Sequence, residues 1–370
     1  MFILTFPQRG MLTDEHYAEM EAALKTGDRD TIQATAHKIR LQLNPHPAGQ
    51  MELNVPTLAD GTRLPGMQHK YAETCLFFPS HGQTCHAYCS FCFRWPQFVG
   101  IDELKFAMRE GGQLVQYLRE HPEFSDILFT GGDPMIMNAK VFSKYIDPLL
   151  EAELPNLSTI RIGTKSLSYW PYKFLDKDSD EMLDLFRKII DRGKNVSVMA
   201  HINHPTELKT DMVQEAIKRI LQTGAQIRTQ SPILRHINDA PETWAEMWDK
   251  EVKLGCIPYY MFVVRDTGAQ HYFGLPLIEA QAIFRDAYKS VSGLARTVRG
   301  PSMSAKPGKI QVLGVVDLPE DQKAIALRFI QARNPEWVQR PFLAQYNPSA
   351  TWLNELKPME GEKFFFEEEE

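Results

Sequence analysis

The 370-residue chain has no run that approaches the length of a membrane span, and no amino-terminal stretch that pairs basic residues with a long apolar core. These absences argue against a helical anchor or a secretory leader, so the expected location is the cytoplasm. Basic runs are also missing, and 41 Lys+Arg against 47 Asp+Glu leave a net charge of -6, which gives no general attraction to nucleic acid. Cysteine is scarce. Five is an odd number and three are clustered, which argues against a disulfide framework and for metal in a reducing compartment. No repeat of fixed period is evident. What remains, 43% hydrophobic and 24% charged, is the composition of a globular protein, with length for one large α/β domain and appendages or for two ordinary domains.

From Asp14 to about Leu43, Met20, Leu24, Ile32 and Ile39 recur among polar residues at helical spacing, with a break near Gly27-Asp28. Residues 44–70 are rich in Pro and Gly and predict an extended crossing segment. After Tyr71, short apolar runs alternate with longer amphipathic ones. Strands are expected at Cys75–Phe78, Asp126–Thr130, Thr159–Gly163, Val196–His201, Ile227–Gln230, Pro258–Val264, Ala295–Arg299 and Ile310–Val316. Helices are expected at Asp102–Glu120, Ala139–Leu150, Glu181–Arg192, Asp211–Thr223, Pro241–Leu254 and Pro276–Tyr288. Strand-helix units in such succession predict an α/β fold with a parallel sheet curled into a full or partial barrel. The expected organisation is a helical leader and crossing segment at 1–70, a barrel core at 71–318 and a carboxy-terminal extension at 319–370. The ending Phe364-Phe365-Phe366 before an acidic run reads as a mobile tail whose aromatics dock on a neighbour.

The polar and glycine-rich signals fall after strands, where a barrel of this kind gathers its functional groups. Cys85, Cys89 and Cys92 stand at C-x3-C-x2-C spacing. Three close cysteines either hold a four-iron cluster with one iron left without a protein ligand, or hold a zinc ion completed by His86 or another histidine, or are simply buried thiols. Cys75 and Cys256 lie in apolar runs and read as core thiols. Gly131-Gly132-Asp133-Pro134 is a tight turn by itself. As a binding loop, its glycines let the backbone approach a ligand and its carboxylate accepts from an ammonium group.

The cysteine motif, with Phe91 before its third cysteine, resembles that of the radical S-adenosylmethionine (SAM) superfamily. CHAYCSFCFR, LFTGGDP, RIGTK, HINHPTE, QSPILRHIND, PYYMF and PSMSAKP narrow the resemblance to the lysine 2,3-aminomutase family, in that family's order and over roughly residues 70 to 315. The resemblance implies a partial (β/α)6-type barrel, a [4Fe-4S] cluster on Cys85, Cys89 and Cys92, and SAM bound near Gly131, Gly132, Asp133, Lys165, His201 and Gln230. It also implies pyridoxal 5'-phosphate (PLP) on Lys306 as a Schiff base, with Lys309 a competitor, and Arg94 on the substrate α-carboxylate. The implied reaction moves an amino group from carbon 2 to carbon 3 of a small-molecule amino acid. The implied partners are an electron donor such as flavodoxin or ferredoxin and further copies of the chain in a homo-oligomer.

Several positions depart from the family. The two aspartates that hold the far ammonium of lysine fall, by register, at Arg265 and Arg299, which favours glutamate or aspartate as substrate. Asp266 leaves a second reading of Arg265 as an ion-pair partner. Thr74 replaces an arginine near the PLP phosphate, with Lys70 close by, and relatives' carboxy-terminal zinc cysteines have no counterpart, so no structural zinc is expected. A radical SAM enzyme without PLP and a non-catalytic iron-sulfur sensor stand as alternatives. Action on a lysine of a translation factor is opposed by the two arginines.

Overall fold

The period of the hydrophobic pattern sets the layers. Along β3 (Asp126–Phe129), β4 (Thr159–Thr164) and β6 (Gln226–Ile233) buried residues alternate with less buried ones, so each strand sends one set of side chains under helices and the other inward. The computed structural model describes residues 8–45, 49, 51–98, 104–109 and 111–367. It joins these strands with β1 (Met67–Tyr71), β2 (Thr74–Phe77), β5 (Asn195–His201), β7 (Ile257–Val263), β8 (Arg299–Ser304), β9 (Gly308–Asp317), β10 (Lys323–Ala332) and β11 (Pro341–Gln345). Together they form an open eleven-stranded sheet in chain order.

Strands β2 to β8 are parallel, and the strands beyond them at either edge are antiparallel. One long helix follows each of β2 to β7: α3 (Gly111–Glu120), α4 (Ala139–Glu151), α5 (Asp178–Asp191), α6 (Asp211–Leu221), α7 (Pro241–Lys253) and α8 (Leu277–Lys289). Six βα units in series make the expected (β/α)6-type partial barrel. Curling brings the edges near: the Lys70 ammonium on β1 donates to the Ala305 carbonyl after β8, and Gln331 on β10 donates to Glu73 at 3.2 Å.

Ile127, Phe129, Ile160, Ile162, Phe142, Phe186 and Trp244 fill the space between sheet and helices, fully buried. Each such side chain stabilises the fold by about 1.5–3 kcal/mol relative to exposure. Cys75 and Cys256 are buried there too. The inward set is polar. Asp126, Arg161, Ser197 and Arg228 line a cavity of about 320 Å³ at the amino-terminal ends of the strands.

The leader folds as read, into α1 (Asp14–Thr26) and α2 (Arg29–Leu43). Gly27 ends α1 at φ 67°, a left-handed conformation that glycine enters without a side-chain clash, and Asp28 caps α2 by accepting from Thr31 N at 2.9 Å. The pair docks beside the cysteine loop: the Asn44 amide donates to the Phe93 carbonyl at 2.7 Å and accepts from Thr267 Oγ1 at 2.9 Å.

Four expectations differ from the structure. The helix expected from Asp102 begins at Gly111; residues 102–103 lie outside the described residues, and Met108 bridges to Pro79 while Phe106 packs on Phe78. The strand expected at Ala295–Arg299 is Arg299–Ser304, because 293–295 forms a 3-10 turn. The crossing segment contains β1. Residues after 318 continue the barrel sheet as β10 and β11, and the terminal aromatics dock on their own chain. Phe364 and Phe366 are buried and stack at 5.2 Å, against Phe342 and Trp337. The alternating burial of β10 leaves an apolar face that these rings cover.

Candidate active site

The loops at the carboxy-terminal ends of the parallel strands share one rim. Cys85–Cys92 lie in the connection after β2, Gly131–Pro134 follow β3, Lys165 follows β4, His201 ends β5, Gln230 lies in β6, Arg265 follows β7 and Lys306 sits in the β8–β9 hairpin.

The cysteine loop turns tightly, with Tyr88 at φ 41° and Cys92 N donating to Cys89 O at 2.9 Å. Burial pushes the Cys85 thiol up to about 11 and raises Cys89 and Cys92 as well, while Lys165 near Cys89 and Arg94 near Cys92 pull the other way. Thiols held protonated by burial become ligands when a metal group supplies the compensating positive charge. His86, which a zinc site would recruit, packs its ring edge-on against Trp170 at 5.0 Å.

The fold itself needs both glycines of the GGDP loop. A Cβ on Gly132 would fall 2.1 Å from the Thr84 carbonyl, and one on Gly131, at φ 135°, would meet the Gln83 amide. The glycines therefore let this loop lie directly on the segment that leads into Cys85, an approach sealed by Asp133 N donating to Thr84 O at 2.7 Å. The Asp133 carboxylate is buried and accepts from Met135 N, Thr164 Oγ1, Lys165 N, Ser166 N and Ser166 Oγ, at 2.7–3.2 Å. Burial, the largest influence, leaves its pKa raised despite these donors. It ties the end of β4 to the cysteine loop.

Lys165 is likewise engaged by the chain. Its ammonium donates to Asn203 Oδ1 at 2.8 Å and to both Glu207 oxygens at 3.1 and 3.0 Å, with lysine and glutamate side chains 7% and 2% exposed. His201 and Gln230 are register partners on β5 and β6. Burial, helped by Lys165 and Arg94, lowers His201 to about 3, so its imidazole is neutral at physiological pH.

A connected set of cations runs from the rim into the barrel. Arg94 feels the charge of Arg265, Lys70 feels those of Arg265 and Lys309, and Lys309 feels those of Arg161 and Arg299, opposed by Asp126 and Glu73. Burial brings Arg94 down to about 10 and Lys309 to about 7, and puts Lys70 well below its ordinary value. Aromatic rings flank them: Arg94 over Phe78 at 4.8 Å, Arg265 over Trp352 at 5.0 Å and Arg299 over Tyr259 at 4.4 Å. Arg161 pairs with Asp126 at 2.8 Å.

Arg265 bonds the Ser304 carbonyl and approaches Asp266 to 3.3 Å, close enough for an ion pair but misaligned for a hydrogen bond, and its buried Nε has no hydrogen-bond partner. Arg299 opens β8 level with Tyr260, five residues before Arg265, a rise of roughly 16 Å, and the two connect through Lys70 and Lys309. Lys306 is exposed on its hairpin.

Sequence reading overlooked Trp352, Asn203's bond to Lys165 and the depth of Arg161. The HINHPTE motif held a signal for Glu207, a carboxylate six residues after a strand end, yet its partner became evident only in three dimensions.

No protein-family model matches the chain. A protein of Aquifex aeolicus named "Putative L-lysine 2,3-aminomutase" is 34% identical over 302 residues, covering 81% of this chain and 76% of its own length. The L-lysine 2,3-aminomutase of Clostridium subterminale is 25% identical over 71% of this chain, which spans 60% of that enzyme. Among solved structures, a radical SAM methyltransferase from Sphaerobacter thermophilus aligns at a TM-score of 0.43 and 15% identity, over 66% of this chain and 71% of its own. Identity of one residue in three across four fifths of the chain shows that this protein belongs to the lysine 2,3-aminomutase family.

Proposed function

We propose that this protein is a radical SAM, PLP-dependent isomerase that moves the α-amino group of an acidic amino acid, glutamate or aspartate, to its β-carbon. The observation that carries the choice of substrate is the excess of half-buried positive charge behind the rim. Lys70 lies against a carbonyl, Lys309 against the Gln331 amide oxygen at 2.9 Å and Arg299 against two aromatic rings, and none of the three has a carboxylate within ion-pair distance among the described residues. Desolvation weighs on Lys70 and Lys309, Asp126 and Glu73 oppose it at Lys309 without contact, and anionic ligands would offset the remaining cost. A phosphate and a dicarboxylic amino acid are such ligands; a lysine side chain would add to the repulsion.

Cys85, Cys89 and Cys92 would hold the [4Fe-4S] cluster, the backbone of Gly131 and Gly132 with His201 and Gln230 would border SAM, and Lys306 would hold PLP. When bound, the cluster and SAM supply hydrogen abstraction at an unactivated carbon, and PLP supplies electron delocalisation for nitrogen transfer. Asp133 and Lys165 act on the site by fixing the loops. Arg94, a planar fork beside the cysteine loop, takes the α-carboxylate, and the unsatisfied Nε of Arg265 offers a donor to the side-chain carboxylate. Flavodoxin or ferredoxin would supply the electron.

The test is anaerobic incubation of reconstituted enzyme with SAM, PLP and a panel of amino acids, scoring β-amino products by mass. Glutamate or aspartate should be converted. Turnover of lysine with neither acid would overturn the substrate assignment. The same activity in Lys306→Ala, with no PLP absorption band in the wild type, would replace PLP chemistry with another radical reaction. Failure of the reduced enzyme to cleave SAM would leave a non-catalytic iron-sulfur protein.

A further inference from the structure

We infer that His69, His121 and Glu123 form a binding site for a divalent transition metal of the zinc class, separate from the cysteine loop. The three belong to distant segments. His69 lies in β1, and His121 and Glu123 lie in the turn between α3 and β3, at the end of the barrel wall away from the rim. Their ligating atoms all come within 4.8 Å of one another. Zinc binds imidazole nitrogen and carboxylate oxygen at about 2.0–2.2 Å, which sets neighbouring ligands about 3.4 Å apart in a tetrahedron, so closure around an ion needs shifts of about 1 Å.

The chemistry of the set selects the ion. Two imidazoles and one carboxylate suit zinc, whereas calcium and magnesium demand oxygen ligands. Three protein ligands leave a fourth position for water. The His69 ring is oriented by its Nδ1 contact of 2.8 Å with the Tyr117 hydroxyl and by a hydrogen bond to the Ala72 backbone, and one of these two partners yields its nitrogen to the ion. Outer partners of this type are a regular accompaniment of metal-bound imidazoles. His121 and Glu123 are brought together at 2.9 Å, and the His69 and His121 rings meet edge to face at 5.4 Å. The expectation of no structural zinc rested on missing cysteines, and this site uses none.

Such an ion would pin β1 to the turn before β3. On β1 the next residue, Lys70, points to the opposite face and enters the cation set of the barrel. The site would therefore stiffen the strand that presents Lys70 without touching the chemistry.

The measurement is zinc content and zinc affinity of cluster-reconstituted protein, in which the cysteines are occupied, after dialysis against a weak chelator. One zinc per chain is expected, with K-edge absorption showing only nitrogen and oxygen neighbours at about 2.0–2.1 Å. His121→Ala, on the exposed turn, should lower affinity at least 100-fold, and Tyr117→Phe should lower it about 10–100-fold while keeping the three ligands. Sulfur neighbours at about 2.3 Å, no zinc above background, or equal zinc content in wild type and His121→Ala would each overturn the site and reduce the cluster to a surface ion pair packed against aromatics.

Discussion

Lys165→Met separates a residue that binds a cofactor from one that holds the site together. The wild-type ammonium is 7% exposed and is shared among Asn203, Ser168 and Glu207, whose own side chain is 2% exposed. Methionine fills a similar volume but leaves the Glu207 carboxylate buried without its cation. Breaking one side of such a pair costs about 3–5 kcal/mol. An unfolding entropy of about 2.1 cal/mol/K per residue over 370 residues is about 0.8 kcal/mol/K, so the melting temperature should fall by about 4–6 °C. Adding Glu207→Leu should restore most of the loss, because a matched apolar pair removes the stranded charge. The assay is thermal unfolding of the cluster-loaded single and double variants, with SAM affinity measured on each. If Lys165→Met melts with the wild type but loses SAM binding, the residue is a ligand contact and the reasoning from the buried pair fails. If the double variant melts lower than the single one, the cost lies in packing.

Gly132→Ala should abolish iron incorporation while leaving the helical content unchanged, since its Cβ would fall 2.1 Å from the backbone carbonyl of Thr84 beside Cys85; normal cluster absorption after reconstitution would contradict this. Glu251, buried and bonded to Thr229 at 2.7 Å, has its carboxyl pushed up by burial from 4.5 to about 8. A carboxyl with a raised folded pKa holds its proton in the native state after the unfolded chain has lost it. Stability from this group is therefore lost as pH rises from 4.5 towards 8, by up to about 5 kcal/mol at 1.36 kcal/mol per unit. Glu251→Gln should gain stability relative to wild type across that window in denaturant titrations, and a difference independent of pH would refute the assignment.

The sequence by itself determined the repeating strand-helix order, the leader hairpin with its break at Gly27 and the cysteine loop, because each depends on local period, a glycine conformation or close spacing in the chain. It also marked nearly every rim loop, since polar residues after apolar runs are where strands end. It placed the last core strand too early and left the terminal phenylalanines without a surface, because the apolar face that covers them belongs to β10 and to Trp337. Only the tertiary structure decided that Asp133 and Lys165 spend their hydrogen bonds on their own loops, that Arg265 and Arg299 stand at different depths, and that Lys70, Lys309 and Arg161 join them in one buried field. Those outcomes depend on which side chains from separate strands face the same interior and how far burial raises the cost of their charge, and neither quantity is local to any stretch of the chain.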